Sequence, residues 1–150
     1  MIDIKSCKIA IVVSLFNREI TQELQNGAMQ QLLESGILPI NILVIEVPGA
    51  IEIPMVIQRI AQNKEIDVVI ALGAIIRGET SHYDYVCQQV SYGCQRVALD
   101  YTLPVIFGIL TTENLIQAFD RIGGKHGHKG IDAAECAITM YNILQKGCKL

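Results

Sequence analysis

Four short apolar runs divide the chain: residues 8–15 (KIAIVVSL), 40–47 (INILVIEV), 67–73 (DVVIALG) and 104–110 (PVIFGIL). They are rich in β-branched residues and show little polar alternation, the pattern of strands buried on both faces. Helical periodicity fills the gaps. Over 19–35, Ile20, Leu24, Ala28 and Leu32 recur every fourth residue, and Gly36 stops the run. A shorter helix is expected over 51–63, after Pro48 and Gly49. Val86, Val90, Cys94 and Val97 lie on one stripe of a helix over 81–99. Two more helices are expected over 113–122 and 132–145, with a glycine-rich break over 123–130 between them. Strands separated by helices imply right-handed crossovers and a parallel sheet covered on both sides. The pattern predicts one domain over residues 1–150. Its architecture is a flavodoxin-like α/β/α three-layer sandwich around a four-stranded parallel sheet of order 2-1-3-4.

Composition narrows the function classes. Apolar residues make up 51% of the 150 and charged residues 18%, so the chain buries a core and is not disordered. The low charge fraction also suits a surface partly covered by further copies. A net charge of −3 with no basic block argues against nucleic-acid binding. The apolar run over 9–16 is too short to span a bilayer, and no leader-type cleavage site follows it. Cys7, Cys87, Cys94, Cys136 and Cys148 are odd in number and form no CxxC. They read as reduced thiols of a cytoplasmic protein, serving as small core residues.

Open parallel sheets hold ligands beyond the carboxyl ends of their strands. The unusual residues cluster at those ends. Residues 73–82 read GAIIRGETSH. There, free amides of a helix start and the Thr80 hydroxyl can receive an anion, and His82 can shuttle a proton beside it. The same string also serves as an ordinary helix start with a surface histidine. Residues 48–54 read PGAIEIP. Glu52 either accepts hydrogen bonds from ligand hydroxyls or complements a helix dipole. Phe16, followed by Asn17 and Arg18, is either a stacking ring or a core residue. Residues 121–132 read RIGGKHGHKGID. The cations Arg121, Lys125 and Lys129 suit a phosphate or a solvated loop. His126 and His128 alternate, but no carboxylate or cysteine nearby completes a metal set.

Together the segments FN (16–17), PGAIE (48–52), GAIIRGETSHYDYV (73–86), PVIFGILTTEN (104–114) and R…K-x-G-x-KG (121–130) resemble the lumazine synthase family. The likeness runs from about Lys8 to Lys146. It implies condensation of 5-amino-6-(D-ribitylamino)uracil with 3,4-dihydroxy-2-butanone 4-phosphate, in riboflavin biosynthesis, with no cofactor and no metal. It implies that Phe16, in the FN motif with Asn17, stacks on the pyrimidine. Ala50, Ile51 and Glu52 hold the ribityl chain, and Ala74, Ile75 and Ile76 line the uracil site with backbone groups. Glu79 and Thr80 hold the phosphate, His82 is the acid/base, and Phe107 comes from a neighbouring subunit. Arg121 binds phosphate, with Lys129 beside it. Assemblies of the family are pentamers, decamers or sixty-subunit shells, and riboflavin synthase is a partner protein. No insertion marks the last loop, which favours the shell. That loop often reads KAGNKG, whereas here it is KHGHKG. Three rivals share the fold class: an FMN-binding flavodoxin, a shell protein without catalysis, and an archaeal-type riboflavin synthase. A flavodoxin wants a Ser/Thr-rich loop after the first strand, and residues 15–18 (LFNR) are not one.

Overall fold

The computed structural model describes residues 3–147. The four apolar runs form one parallel sheet of β1 (Ile9–Ser14), β2 (Ile42–Val47), β3 (Val68–Ile76) and β4 (Val105–Thr112). Their order is β2-β1-β3-β4, the order expected above. Every residue of β1 is buried, because β1 has a strand on each side and helices on each face. β2 lies at the edge and is only partly buried.

The layers follow from the two-residue period of the strands. Ile9, Ile11 and Val13 point to one face. There they meet Leu24 and Ala28 of α1 (Arg18–Glu34) and Ala137 of α5 (Lys129–Gln145). Ala10 and Val12 point to the other face. They meet Ile53 and Ile57 of α2 (Ile53–Asn63) and Val90 and Val97 of α3 (His82–Tyr101). Each fully buried Ile, Leu or Val contributes about 1.5–3 kcal/mol of transfer free energy. Gly36, at φ +96, ends α1 in the conformation that favours glycine. No described helix is long and apolar enough to cross a membrane.

The structure corrects several boundaries. β3 runs on to Ile76, three residues past Gly73, because its pairing with β4 continues as far as Ile76 and Thr112. Ile40 and Asn41 belong to a 3-10 turn, and β2 starts at Ile42. A second 3-10 turn (Ala50–Glu52) precedes α2. The helix expected over 113–122 shrinks to α4 (Leu115–Phe119), capped by Asn114 Oδ1, which accepts from Gln117 N at 2.9 Å. The expected break over 123–130 is instead a small antiparallel hairpin of β5 (Ile122–Gly124) and β6 (Gly127–His128). α5 then starts at Lys129, three residues earlier than the pattern suggested. Cys7 and Cys94 are core residues as expected, but Cys87 is half-buried and Cys136 is exposed. Cys148 lies outside the described residues.

Candidate functional site

β3 outlasts its neighbour. Its pairing with β1 stops at Val13 and Leu72, while its pairing with β4 continues to Ile76 and Thr112. Past Leu72 no strand among the described residues lies beside the β1-side edge of β3. Asn17 Nδ2 donates to the Ala74 carbonyl on that edge at 2.9 Å. Backbone direction alternates along a strand, so the N–H and C=O of Ile76 face the same way, with no strand to receive them.

That edge walls a cleft of about 380 Å³. Nine of the residues singled out above line it: Phe16, Asn17, Ala50, Ile51, Ala74, Ile75, Ile76, Thr80 and His82. Phe16 is 71% exposed, so its ring belongs to the cleft mouth and not to the core. Asn17 holds a left-handed conformation at φ 57, which turns the chain from β1 into α1 and leaves its amide free to reach Ala74. Two expected residues stand aside from the lining. Glu52 turns its carboxylate back to the Gly49 N–H at 2.9 Å, and Glu79 projects from the exposed turn before α3. His82 is the first residue of α3, and its N–H donates to Thr80 Oγ1 at 3.3 Å.

Tyr83 also lines the cleft, a residue the sequence pattern did not single out. Its ring lies under the Arg77 guanidinium, 4.3 Å from centroid to Cζ. Arg77 also donates Nε to Glu113 at 2.6 Å and both Nη atoms to Asp84, at 3.1 and 3.3 Å. These bonds tie the tip of β3 to the start of α3 and the end of β4. They raise the Arg77 pKa, the bonds to Asp84 most and those to Glu113 next. Burial raises the Tyr83 hydroxyl above its ordinary value, with Cys87 the second cause. Spacing along the chain gives no hint of this cluster, because Arg77 and Glu113 meet only across the β3–β4 pair.

The remaining expected residues lie elsewhere. Phe107, Arg121 and Lys129 line a separate open groove of about 600 Å³ along β4. Arg121 Nη1 donates to the Gln117 carbonyl at 2.9 Å, and Lys129 Nζ lies 3.2 Å from Asp132 Oδ2. No Lys or Arg is among the described residues lining the first cleft. Among the described residues, no group of three or more His, Cys, Asp or Glu could hold a metal ion.

Residues 6–145 match the family model of 6,7-dimethyl-8-ribityllumazine synthase. The 6,7-dimethyl-8-ribityllumazine synthases of Coxiella burnetii strains CbuG_Q212 and RSA 493 / Nine Mile phase I are each 52% identical over 141 residues. The enzyme of strain Dugway 5J108-111 is 51% identical over the same length. Each alignment covers 94% of this chain and 93% of the relative.

Proposed function

The chain belongs to the 6,7-dimethyl-8-ribityllumazine synthase family, and on that premise we propose that it makes this lumazine for riboflavin biosynthesis. It condenses 5-amino-6-(D-ribitylamino)uracil with 3,4-dihydroxy-2-butanone 4-phosphate and releases phosphate and water. One observation carries the reading. A single cleft joins an exposed aromatic ring, unpaired strand backbone and a histidine beside a hydroxyl-bearing turn.

The chemistry matches those parts. The pyrimidine 5-amine attacks the ketone, and an imine forms with loss of water. Loss of a carbon-bound proton then expels phosphate. The enol left at the hydroxyl-bearing carbon tautomerises to a ketone, and the ribitylamino nitrogen closes the ring on it with loss of a second water. The substrates supply nucleophile and electrophile, so the protein positions them and moves protons. Phe16 stacks on the pyrimidine. The Ala74 N–H and the N–H and C=O of Ile76, with Ile75 between them, read its edge. Ala50 and Ile51 border the ribityl chain, and the Glu52 carboxylate takes its hydroxyls while still held by Gly49. Thr80 and the backbone of Glu79 receive the phosphate, since a carboxylate itself repels it. His82 carries the proton.

Among the described residues of one chain no Lys or Arg lines the phosphate end, and Arg77 is engaged by two carboxylates. We propose that a neighbouring copy brings Phe107, Arg121 and Lys129 over the cleft, as in a closed ring of five. Without an insertion in the β5–β6 hairpin, such rings build a sixty-subunit shell, with riboflavin synthase as partner, in the cytoplasm. Absorbance of the lumazine on mixing protein with both substrates tests the activity. No rate above the spontaneous condensation overturns it. Light scattering tests the ring and the shell.

A further inference from the structure

The helix that carries Lys129 starts in an unusual way. His128 is its N-cap, with extended φ −132 and ψ 104. Its Nδ1 accepts the Gly130 N–H at 3.2 Å and the Ile131 N–H at 3.4 Å. A capping side chain satisfies amides that the helix leaves without partners. A ring nitrogen that accepts two N–H groups carries no proton, so the ring is the neutral form protonated at Nε2.

α1 holds the ring in place. A Cβ on Gly27 would stand 2.7 Å from Nδ1 and 2.8 Å from Nε2, so the imidazole fills the space this glycine leaves. Gly123 of the hairpin flanks Cδ2. The cap also reaches the cations. Lys129 N donates to the Arg121 carbonyl at 2.8 Å, and Ile122 pairs with His128 across β5 and β6. The first turn of α5, the hairpin, Arg121 and Lys129 are therefore one unit pinned by one imidazole.

We propose that His128 is a positioning residue for the phosphate-binding cations, and that it acts only while its ring is neutral. The proposal rests on the reading that Arg121 and Lys129 hold the substrate phosphate. Protonation at Nδ1 removes both capping bonds and places a cation on the positive end of a helix. The charged groups on the elements packed around the ring are of both signs. Arg121, Lys125 and His126 lie on the hairpin, with Lys129 on α5. Asp132 on α5 is bonded to Lys129, and Glu23, one turn before Gly27 on α1, is exposed. A ring protonated at both nitrogens has no acceptor left for the two amides, so the unit loosens when the ring takes up the second proton.

His128→Asn separates the effects, because its amide oxygen can cap but cannot be protonated. The test uses the intact assembly of wild type, H128N, H128A and R121A between pH 5.5 and 7.5. The KM for the butanone phosphate and hydrogen exchange over 121–135 are both measured. The substrate phosphate itself titrates near pH 6, and H128N carries that contribution unchanged. From pH 7.5 to 5.5, wild-type KM rises about fivefold more than that of H128N, the worth of one lost cap. H128A shows the higher KM and faster exchange at both pH values, and H128N matches wild type at pH 7.5. Identical pH profiles for wild type and H128N overturn the proposal. So does equal exchange over 121–135 in wild type and H128A. An unchanged KM in R121A overturns the phosphate reading instead, while the exchange data still judge the cap.

Discussion

On one face of the sheet α2 and α3 close over a glycine notch. A Cβ on Gly93 would stand 2.6 and 2.8 Å from ring carbons of Pro54. On the other face α1 and α5 close over Gly27, and the notch holds the His128 ring. The two layers thus solve one packing problem with rings of different chemistry. Proline is inert to pH, and histidine is not. Each layer also launches one half of the site, since α3 begins at His82 and α5 begins at Lys129. The half that begins at His82, proposed to move protons, is fixed by packing that acid leaves alone. The half that begins at Lys129, proposed to hold the phosphate, stands on a cap that on our proposal acid removes.

The sharpest way to break this division is to disable each half separately. His82→Ala lowers kcat by about 10²–10⁴, the usual worth of a positioned acid or base. Arg121→Ala raises KM for the phosphate substrate about ten- to hundredfold, the worth of a charged hydrogen bond. The two variants are then dissociated, mixed equally and reassembled. Where one copy's cleft faces another's cations, about a quarter of sites pair two intact halves. Steady-state rates of the mixture would then exceed those of either variant. No gain on mixing means that both halves serve the same chain, and the division between copies fails.

The notches come next. Gly93→Ala forces a methyl group onto the rigid Pro54 ring and costs about 1–3 kcal/mol. Gly27→Ala costs a similar amount in the presence of His128. The two differ in a second background. In His128→Asn the ring is gone, and alanine is the better helix former by about 1 kcal/mol, so the cost of Gly27→Ala shrinks or changes sign. The cost of Gly93→Ala stays fixed. Thermal midpoints at one protein concentration measure both. Equal behaviour of the two glycines would erase the contrast.

The sequence shows the α2/α3 half of the site better than the α1/α5 half, for a physical reason. Ala74 lies within β3, and Phe16, Ala50 and His82 lie within six residues of the ends of β1, β2 and β3, so finding the strands finds the residues. Arg121 and Lys129 depend on a hairpin with strands of three and two residues, too short to leave a periodic signal. Gly130 reads as a loop glycine. Yet it sits inside α5 against the Leu24 carbonyl of α1, where a side chain has no room. The role of His128 is likewise invisible without Gly27, which lies about a hundred residues earlier and reads as an ordinary helix position. Asn17 is legible as a site residue. That its amide is spent on the Ala74 carbonyl emerges only from the sheet's uneven strand lengths.

The smallest effect lies on the alkaline side, where the two layers should behave alike. Cys7 packs in the α1/α5 core and Cys94 in the α2/α3 core. Burial pushes each thiol up to about 12, with Asp67 adding to the effect at Cys7. The folded chain therefore keeps both protons over a range where the unfolded chain, with thiols near 9.0, releases them. Their contribution to stability is complete below pH 9 and fades as pH climbs towards 12. Each thiol costs at most about 1.4 kcal/mol per pH unit across that window. Denaturant melts between pH 8 and 10.5 should show Cys7→Ala and Cys94→Ala flattening the alkaline slope by similar amounts. Below pH 7 neither variant should change the slope. An alkaline slope unmoved by both cysteine variants would remove thiol burial as its cause. A flattening by only one would show that the layers differ in more than the ring that fills each notch.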